Sequence, residues 1–196
     1  MIDKALKFIS EEINNYLNSK LSPESTRIVL DNIAKLQDGG GNENKIILSL
    51  VNIEEDRLSK NPDNFYKTDD NKVVYKNAPV HLNLYCLFAY NHGVNDGGED
   101  LNNQYEEALK HIAYVVQFFQ HRNVFTPLNS PSLDAGIEKL LMELNTLSFE
   151  QLNHLWAVLG GKYLPSVLYK MRLVVIDESL QTAAGELIKN VNVVEN

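Results

Sequence analysis

Apolar residues recur at helical spacing in two long segments of the chain. In the first segment, charged and amide side chains take the opposite side, and Ser22-Pro23-Glu24 ends the pattern. The second segment runs from about Leu101 to Gln120. Both are therefore predicted to be amphipathic helices with one buried stripe each. The stripes are Ile2, Leu6, Ile9, Ile13, Tyr16 and Leu17 in the first, and Leu101, Tyr105, Ala108, Leu109, Ile112, Val116 and Phe119 in the second.

A third, shorter helix has the clearest start signal in the chain. Ser148 is a favourable N-cap, and Gln151 stands three positions later, which is the spacing of a capping box. Gly160-Gly161 ends the helix. The predicted apolar stripe of this helix consists of Phe149, Leu152, Leu155, Trp156 and Leu159.

Other segments have the composition and alternation of strands. Lys45 to Ile53 is apolar on both faces, as in a central strand covered on each side. Pro79 to Asn91 is the strongest strand signal, and Ser166 to Ile176 is a second long strand. Arg27 to Ile33 predicts a further strand. Gly136 to Leu147 fits a helix or a strand on pattern alone, and we favour the strand.

The remaining segments are predicted to be loops. Glu54 to Asn71 is polar and contains two clusters of turn residues, so we expect a long loop there, with a short strand at Val73–Tyr75. From Gln181 onward we expect a weakly ordered tail. The domain organisation predicted is one domain over residues 1–180 followed by a tail over residues 181–196.

This order of elements predicts the fold class α+β. We expect a mixed, mostly antiparallel sheet, with two long helices and one shorter helix packed on it. At 196 residues the chain is long enough to bury a core without disulfides or structural metals.

Charge and cysteine content narrow the function classes. The net charge is -8, which opposes binding to nucleic acid and to anionic membranes. No apolar stretch approaches the ~20 residues needed to span a bilayer. Cys86 is the only cysteine, so no intrachain disulfide forms, and its apolar surroundings predict a core residue and not a reactive thiol.

No motif for catalysis or for a cofactor was found in the sequence. The five histidines lack the spacing of a helical metal site, and His81, inside a strand, is predicted to be a satisfied polar group. Gly160-Gly161-Lys162 lacks the remainder of a phosphate-binding loop. The acidic run Asn95–Asp100 lacks calcium-ligand spacing. We therefore expect no enzyme, no cofactor and no metal.

Six stretches, in order and spacing, resemble one protein family. They are Asn14–Leu17 (NNYL), Leu48–Arg57 (LSLVNIEEDR), Pro79–Tyr90 (PVHLNLYCLFAY), Tyr105–Gln120 followed by Val124-Phe125-Thr126, Leu155–Gly161 (LWAVLGG) and Tyr163–Arg172 (YLPSVLYKMR). The chain resembles, over roughly residues 2–180, the N-terminal domain of the terminator protein of Photorhabdus-virulence-cassette and antifeeding-prophage particles. Some relatives carry a further C-terminal region.

The resemblance implies a structural cap similar to phage tail-terminator proteins. It implies a homo-oligomeric ring, with six subunits expected, that ends the tube and sheath at the baseplate-distal end of a contractile injection particle. The implied partners are other copies of the chain and the terminal tube and sheath subunits. Assembly is expected in the bacterial cytoplasm, in a phage tail-like particle that is released in some systems. The alternatives are a baseplate or adaptor subunit of the same particle, and an enzyme with an unrecognised site.

Four polar residues are candidates for contacts between subunits. Asn52, Glu54, Glu55 and Arg57 lie where the predicted central strand meets the long polar loop. Polar pairs across a subunit interface are one interpretation, and a solvated strand end is the other. The loop itself is long enough to reach a neighbour.

Overall fold

The fold was obtained as a computed structural model, which describes residues 1–21, 27–38, 41–56, 65–67, 72–75, 81–92, 101–160, 162–175 and 183–186. It is an α+β structure, as predicted. The helices are α1 (Ile2–Lys20), α2 (Leu101–His121) and α3 (Phe149–Val158), with a short 3-10 helix at Ile33–Asp38. The strands are β1 (Ile28–Leu30), β2 (Lys45–Glu55), β3 (Phe65–Lys67), β4 (Lys72–Tyr75), β5 (His81–Asn91), β6 (Val124–Phe125), β7 (Ile137–Leu144), β8 (Ser166–Val175) and β9 (Ala183–Glu186).

A six-stranded sheet in the order β1-β2-β5-β8-β7-β6 forms the centre of the molecule. Its strands pair antiparallel, except that β1 pairs parallel to β2. The predicted mixed, mostly antiparallel sheet is thus confirmed. The segment that fitted either a helix or a strand on pattern alone is strand β7. β3, β4 and β9 form a separate three-stranded antiparallel sheet.

One face of the large sheet is covered by α1 and α2. Phe88 of β5 is fully buried on this face and meets the rings of Phe119 of α2 at 5.6 Å and Tyr169 of β8 at 5.9 Å, measured between ring centroids. From α1, Ile9 and Ile13 are also fully buried. Side chains one helical turn apart share a face, so the 3.6-residue period of α1 places its apolar side chains on the sheet.

The opposite face is covered only in part. Trp156 of α3 packs there with Ile47, Leu87 and Leu168 of the sheet, and the 3-10 helix adds Ile33. The capping box of α3 is confirmed, because Ser148 accepts a hydrogen bond from the Gln151 main-chain N–H and the Gln151 side chain accepts one from the Ser148 N–H. This smaller core covers β2 and β5 only where α3 and the 3-10 helix lie on the sheet.

Several predicted details are wrong. In α2, Tyr105 and Leu109 are about half exposed, and the buried side includes His111, which lies against the Tyr90 ring at 4.8 Å. In α3, Phe149 is 92% exposed although it shares a side of the helix with Trp156, because it is the first helical residue and the core beneath α3 does not extend to it. Apolar spacing alone did not determine the buried side of α2, nor how far the buried side of α3 extends toward its N-terminus.

The loop and tail predictions also need correction. Residues 65–67, predicted as loop, form β3, and the short strand expected at Val73–Tyr75 is β4, which starts at Lys72. Residues 183–186, predicted as part of a weakly ordered tail, form β9 and pair with β4. The other loop residues, 57–64 and 68–71, lie outside the described residues. The division into one domain and a tail stays a prediction.

No helix in the described parts of the chain combines the length and the hydrophobicity required to cross a bilayer.

Candidate docking surface

Three of the four sequence-predicted interface residues lie on an exposed half of β2. Asn52, Glu54 and Glu55 are all exposed, while Arg57 lies outside the described residues. The strand changes character at a β-bulge between Leu50 and Asn52. Before the bulge, β2 is covered on both faces as predicted; after it, even Ile53 is 48% exposed, so the prediction of a doubly covered strand fails there.

Glu54 is held by hydrogen bonds within the chain. The hydroxyl of Tyr85, on β5, donates to the Glu54 carboxylate at 2.8 Å. The Asn52 side-chain amide donates to the same carboxylate at 3.3 Å, and the Asn52 carbonyl oxygen accepts from the Ile53 N–H at 2.9 Å. The hydrogen bond to Glu54, followed by burial and by the charge of Glu54, raises the pKa of Tyr85. These bonds fix the side chains at one rim of the surface.

Oppositely charged side chains continue this polar row onto the neighbouring strands. Lys170 of β8 is opposite Tyr85 in the register, and Glu143 of β7 is opposite Lys170. The Glu143 carboxylate is 3.3 Å from the Lys170 amine and 2.9 Å from Nε of Arg172. The α3-side face of the sheet is thus apolar beneath α3 and polar beyond it.

A groove of about 430 Å³ lies at the boundary between these two halves. Its apolar lining is formed by Val51, Leu147, Leu155 and Leu168, and its polar lining by Asn52, Glu54, Tyr85, Asn145, Thr146 and Gln151. A second groove of about 210 Å³ shares residues 145–147 with it and adds Leu144, which is 57% exposed. An apolar floor with a polar rim suits an apolar anchor whose flanking main chain needs hydrogen-bond partners.

Two of the four predicted residues, Asn52 and Glu54, therefore line this groove, whereas Glu55 does not: it lies opposite Leu82 of β5, which packs against the core on the α1/α2 side. The sequence pattern did not predict that Asn145, Thr146 and Gln151 also line the groove. These residues lie in and just after the turn between β7 and α3, and nothing in their spacing predicts that the turn folds over β8. The capping box at Ser148 predicts where the turn lies in the sequence, but it does not predict which strand the turn packs against.

The described residues offer little for catalysis. No group of three or more His, Cys, Asp or Glu side chains in the described part of the chain could hold a metal ion. Cys86 is buried, as predicted, and burial raises the pKa of its thiol to about 12, so the unreactive thiol form predominates at neutral pH. Nδ1 of His81 is buried without a hydrogen-bond partner among the described residues, so the prediction of a satisfied polar group is not confirmed for that atom.

The Tyr85–Glu54 pair gives a testable pH dependence. Replacing Glu54 with Gln is expected to lower the pKa of Tyr85 toward its ordinary value of 10.0, because the hydrogen bond to a carboxylate, which favours the protonated hydroxyl, is lost and the negative charge is removed. The measurement is the ultraviolet tyrosinate titration, with the Tyr85→Phe titration subtracted in each background. The pKa of Tyr85 is higher in the folded chain than in the unfolded chain. The contribution of the protonated Tyr85 hydroxyl to folding stability is therefore fully present below the unfolded pKa and is lost as pH rises through the folded pKa. An unchanged Tyr85 titration would contradict the assignment.

Two solved structures similar to this chain are terminator or cap proteins. The chain is similar to the PVC sheath/tube terminator in its extended state, from an extracellular contractile injection system, with a TM-score of 0.56 and 14% identity. It is also similar to the anti-feeding prophage cap, a tube-terminating cap, with a TM-score of 0.54 and 13% identity. These matches cover 100% and 94% of this chain but only 63% and 59% of the other chains, so this chain spans less than two thirds of either. The fold is therefore one that these terminator and cap proteins share.

The sequence itself identifies the family. The model of the Pvc16 N-terminal domain matches residues 6–190, and the chain belongs to this family. This confirms the resemblance found in the sequence. Comparison with curated proteins gave no match.

Proposed function

We propose that this chain is a structural subunit that terminates the tube and the sheath at the baseplate-distal end of a contractile injection particle. The observation that carries the proposal is the shared fold, which extends over the whole of this chain in the match to a sheath/tube terminator and over nearly all of it in the match to a tube-terminating cap. Family membership over residues 6–190 supports it independently.

The physical requirements of such a role agree with the surface of the chain. A tube grows because each ring presents a face that accepts the next ring, a contact that does not close along the axis. A cap matches the last ring on one side and offers no growing face on the other. This needs rigid surfaces with docking grooves, and neither a metal nor a perturbed acid or base. The half-covered sheet face beside α3 has this character.

The proposal includes the partners and the place of assembly. Copies of the chain form a closed ring, with six subunits expected, and the ring contacts the terminal tube and sheath subunits. Assembly takes place in the bacterial cytoplasm, and the chain then remains part of the particle.

Deleting the gene and measuring particles by electron microscopy tests the function. Without the cap, tubes and sheaths are expected to lose their uniform length, and expression of the intact chain is expected to restore it. An unchanged length distribution in the deletion strain would overturn the proposal. A gold label on the chain distinguishes the alternative of a baseplate or adaptor subunit, since that alternative places the label at the opposite end.

A further inference from the structure

One turn of the chain presents an apolar side chain directly to solvent. Leu128 is 98% exposed at the tip of the turn that follows β6. Single exposed apolar residues are ordinary on protein surfaces, so exposure alone does not make Leu128 a contact residue. Two further features support a contact role for Leu128: the rigid turn that carries it and the apolar groove beside α3.

The turn that carries Leu128 is held rigidly. The main-chain N–H groups of Asn129 and Ser130 donate to the Thr126 carbonyl at 3.1 and 2.9 Å, and the Thr126 N–H donates to the Asn129 side chain at 2.8 Å. Arg122 donates to the Asn129 carbonyl at 2.6 Å and also binds Ser130, which is 2% exposed. A side chain on a fixed turn loses little freedom on binding, so such a turn is preorganised as an anchor.

The turn and the groove belong to different sides of the molecule. Arg122 ties the turn to α1 through a 3.0 Å ion pair with Glu12, on the face that α1 and α2 cover. The groove opens on the opposite face, beside α3, and reaches β2, whereas the turn follows the edge strand β6. The Leu128 turn and the groove of one copy are thus separate surfaces, as a head-to-tail contact between copies requires.

We propose that neighbouring copies of this chain join head to tail, with the Leu128 turn of one copy seated in the groove beside α3 of the next. This inference rests on the proposed function, because it supplies the contact that closes the ring. The apolar floor of Leu147, Leu155 and Leu168 receives the leucine. The amides of Asn145 and Gln151 line the same groove and are of the type that pairs with turn main chain.

The charge at the rim does not oppose this seating. Glu54 is exposed at the rim and its carboxylate accepts hydrogen bonds from Tyr85 and Asn52, so a leucine reaches the apolar floor without taking that charge out of water. The occupant brings no carboxylate of its own at the tip, since residues 126–130 read Thr-Pro-Leu-Asn-Ser. A leucine flanked by uncharged residues therefore matches an uncharged floor.

Two substitutions separate the two halves of the contact. Leu128→Asp places a charge on the anchor, and Thr146→Trp fills the groove from an exposed rim position. Each is expected to weaken self-association of the full chain by roughly 10–100-fold in sedimentation velocity. Val158→Asp is the matched control, because Val158 is 83% exposed and lies in neither surface. Equal association of Leu128→Asp and Val158→Asp overturns the inference.

Mixing the two variants gives the sharper result. Leu128→Asp keeps an intact groove and Thr146→Trp keeps an intact turn, so one junction forms between them and assembly stops at a 1:1 dimer. A mixture that stays monomeric, while intact chains form rings, overturns the head-to-tail contact.

Cysteine cross-linking covers the case in which the free ring is too weak to sediment. A chain carrying both Leu128→Cys and Thr146→Cys is expected to give a ladder of covalent oligomers after copper-phenanthroline oxidation, whereas Leu128→Cys alone gives none. The native Cys86 is 1% exposed and does not interfere. The absence of a ladder overturns the inference. The proposed function is judged separately by particle length, so a terminator that controls length without this contact remains distinguishable.

Discussion

Replacing Phe88 with alanine is expected to lower the free energy of unfolding by about 3–5 kcal/mol, the range for removing a large aromatic side chain from a packed core. Phe88 is fully buried in the central strand β5 and contacts both the α2 layer and β8 through ring packing. Two terms add up to this loss of stability. The favourable free energy of burying the ring is lost, and a cavity remains because the neighbouring side chains relax only in part. Urea unfolding followed by far-ultraviolet circular dichroism measures it.

Phe149 provides the matched control for Phe88. It is the same residue type but is 92% exposed, so Phe149→Ala is expected to change stability by less than about 0.5 kcal/mol. A comparable loss in the two variants would mean that the packing of the α1/α2 face is not the main source of stability.

Replacing Ile47 with alanine is expected to cost about 2–5 kcal/mol of stability. Ile47 is fully buried beneath α3 in the smaller core, which has few other side chains to share the loss. The measurement is again equilibrium unfolding in urea, with hydrogen exchange of α3 amides as a local readout. We expect the α3 amides to lose protection first, because this helix is held to the sheet by that core.

Ile53, on the same strand, is the control for Ile47. It lies beyond the bulge and is 48% exposed, so Ile53→Ala is expected to cost less than about 1 kcal/mol. If the two substitutions had equal effects, the partly covered face would contribute no more to stability than the exposed end of β2.

The elements that sequence pattern predicted well are those with a long period and a strong boundary. The stripe of α1 matches its buried side, and the start of α3 follows from a local hydrogen-bond exchange between Ser148 and Gln151. β5 and β8 are long, β-rich and buried, so alternation and length agree. In each case the structure favoured by the local sequence is also the one that buries its apolar side chains in the folded chain.

The missed elements depend on partners that are distant in sequence. β6 is two residues long and exists because Val124 and Phe125 pair with Leu141 and Leu140 of β7. β9 forms only against β4, more than a hundred residues earlier in the chain. A strand of two to four residues has too few positions for a period to show, and its pairing partner has no local signature.

The candidate site also has a part that the sequence predicted and a part that depends on residues distant in sequence. Asn52 and Glu54 could be selected from the sequence because polar residues interrupt an apolar strand there. The groove could not be predicted, since it exists only where the turn before α3 passes over β8. His111 shows the same limit: it lies outside the apolar stripe predicted for α2, yet it is 3% exposed and packs against the Tyr90 ring.

The outermost strands of the large sheet are only three and two residues long, and β2, where it extends past its short neighbour, is kinked by a bulge and carries Glu54 and Glu55. Edge strands that are short, bent and charged expose few unpaired main-chain groups with which a strand of another chain could pair. Copies of this chain are therefore expected to resist edge-to-edge stacking into amyloid-like assemblies, even at high concentration.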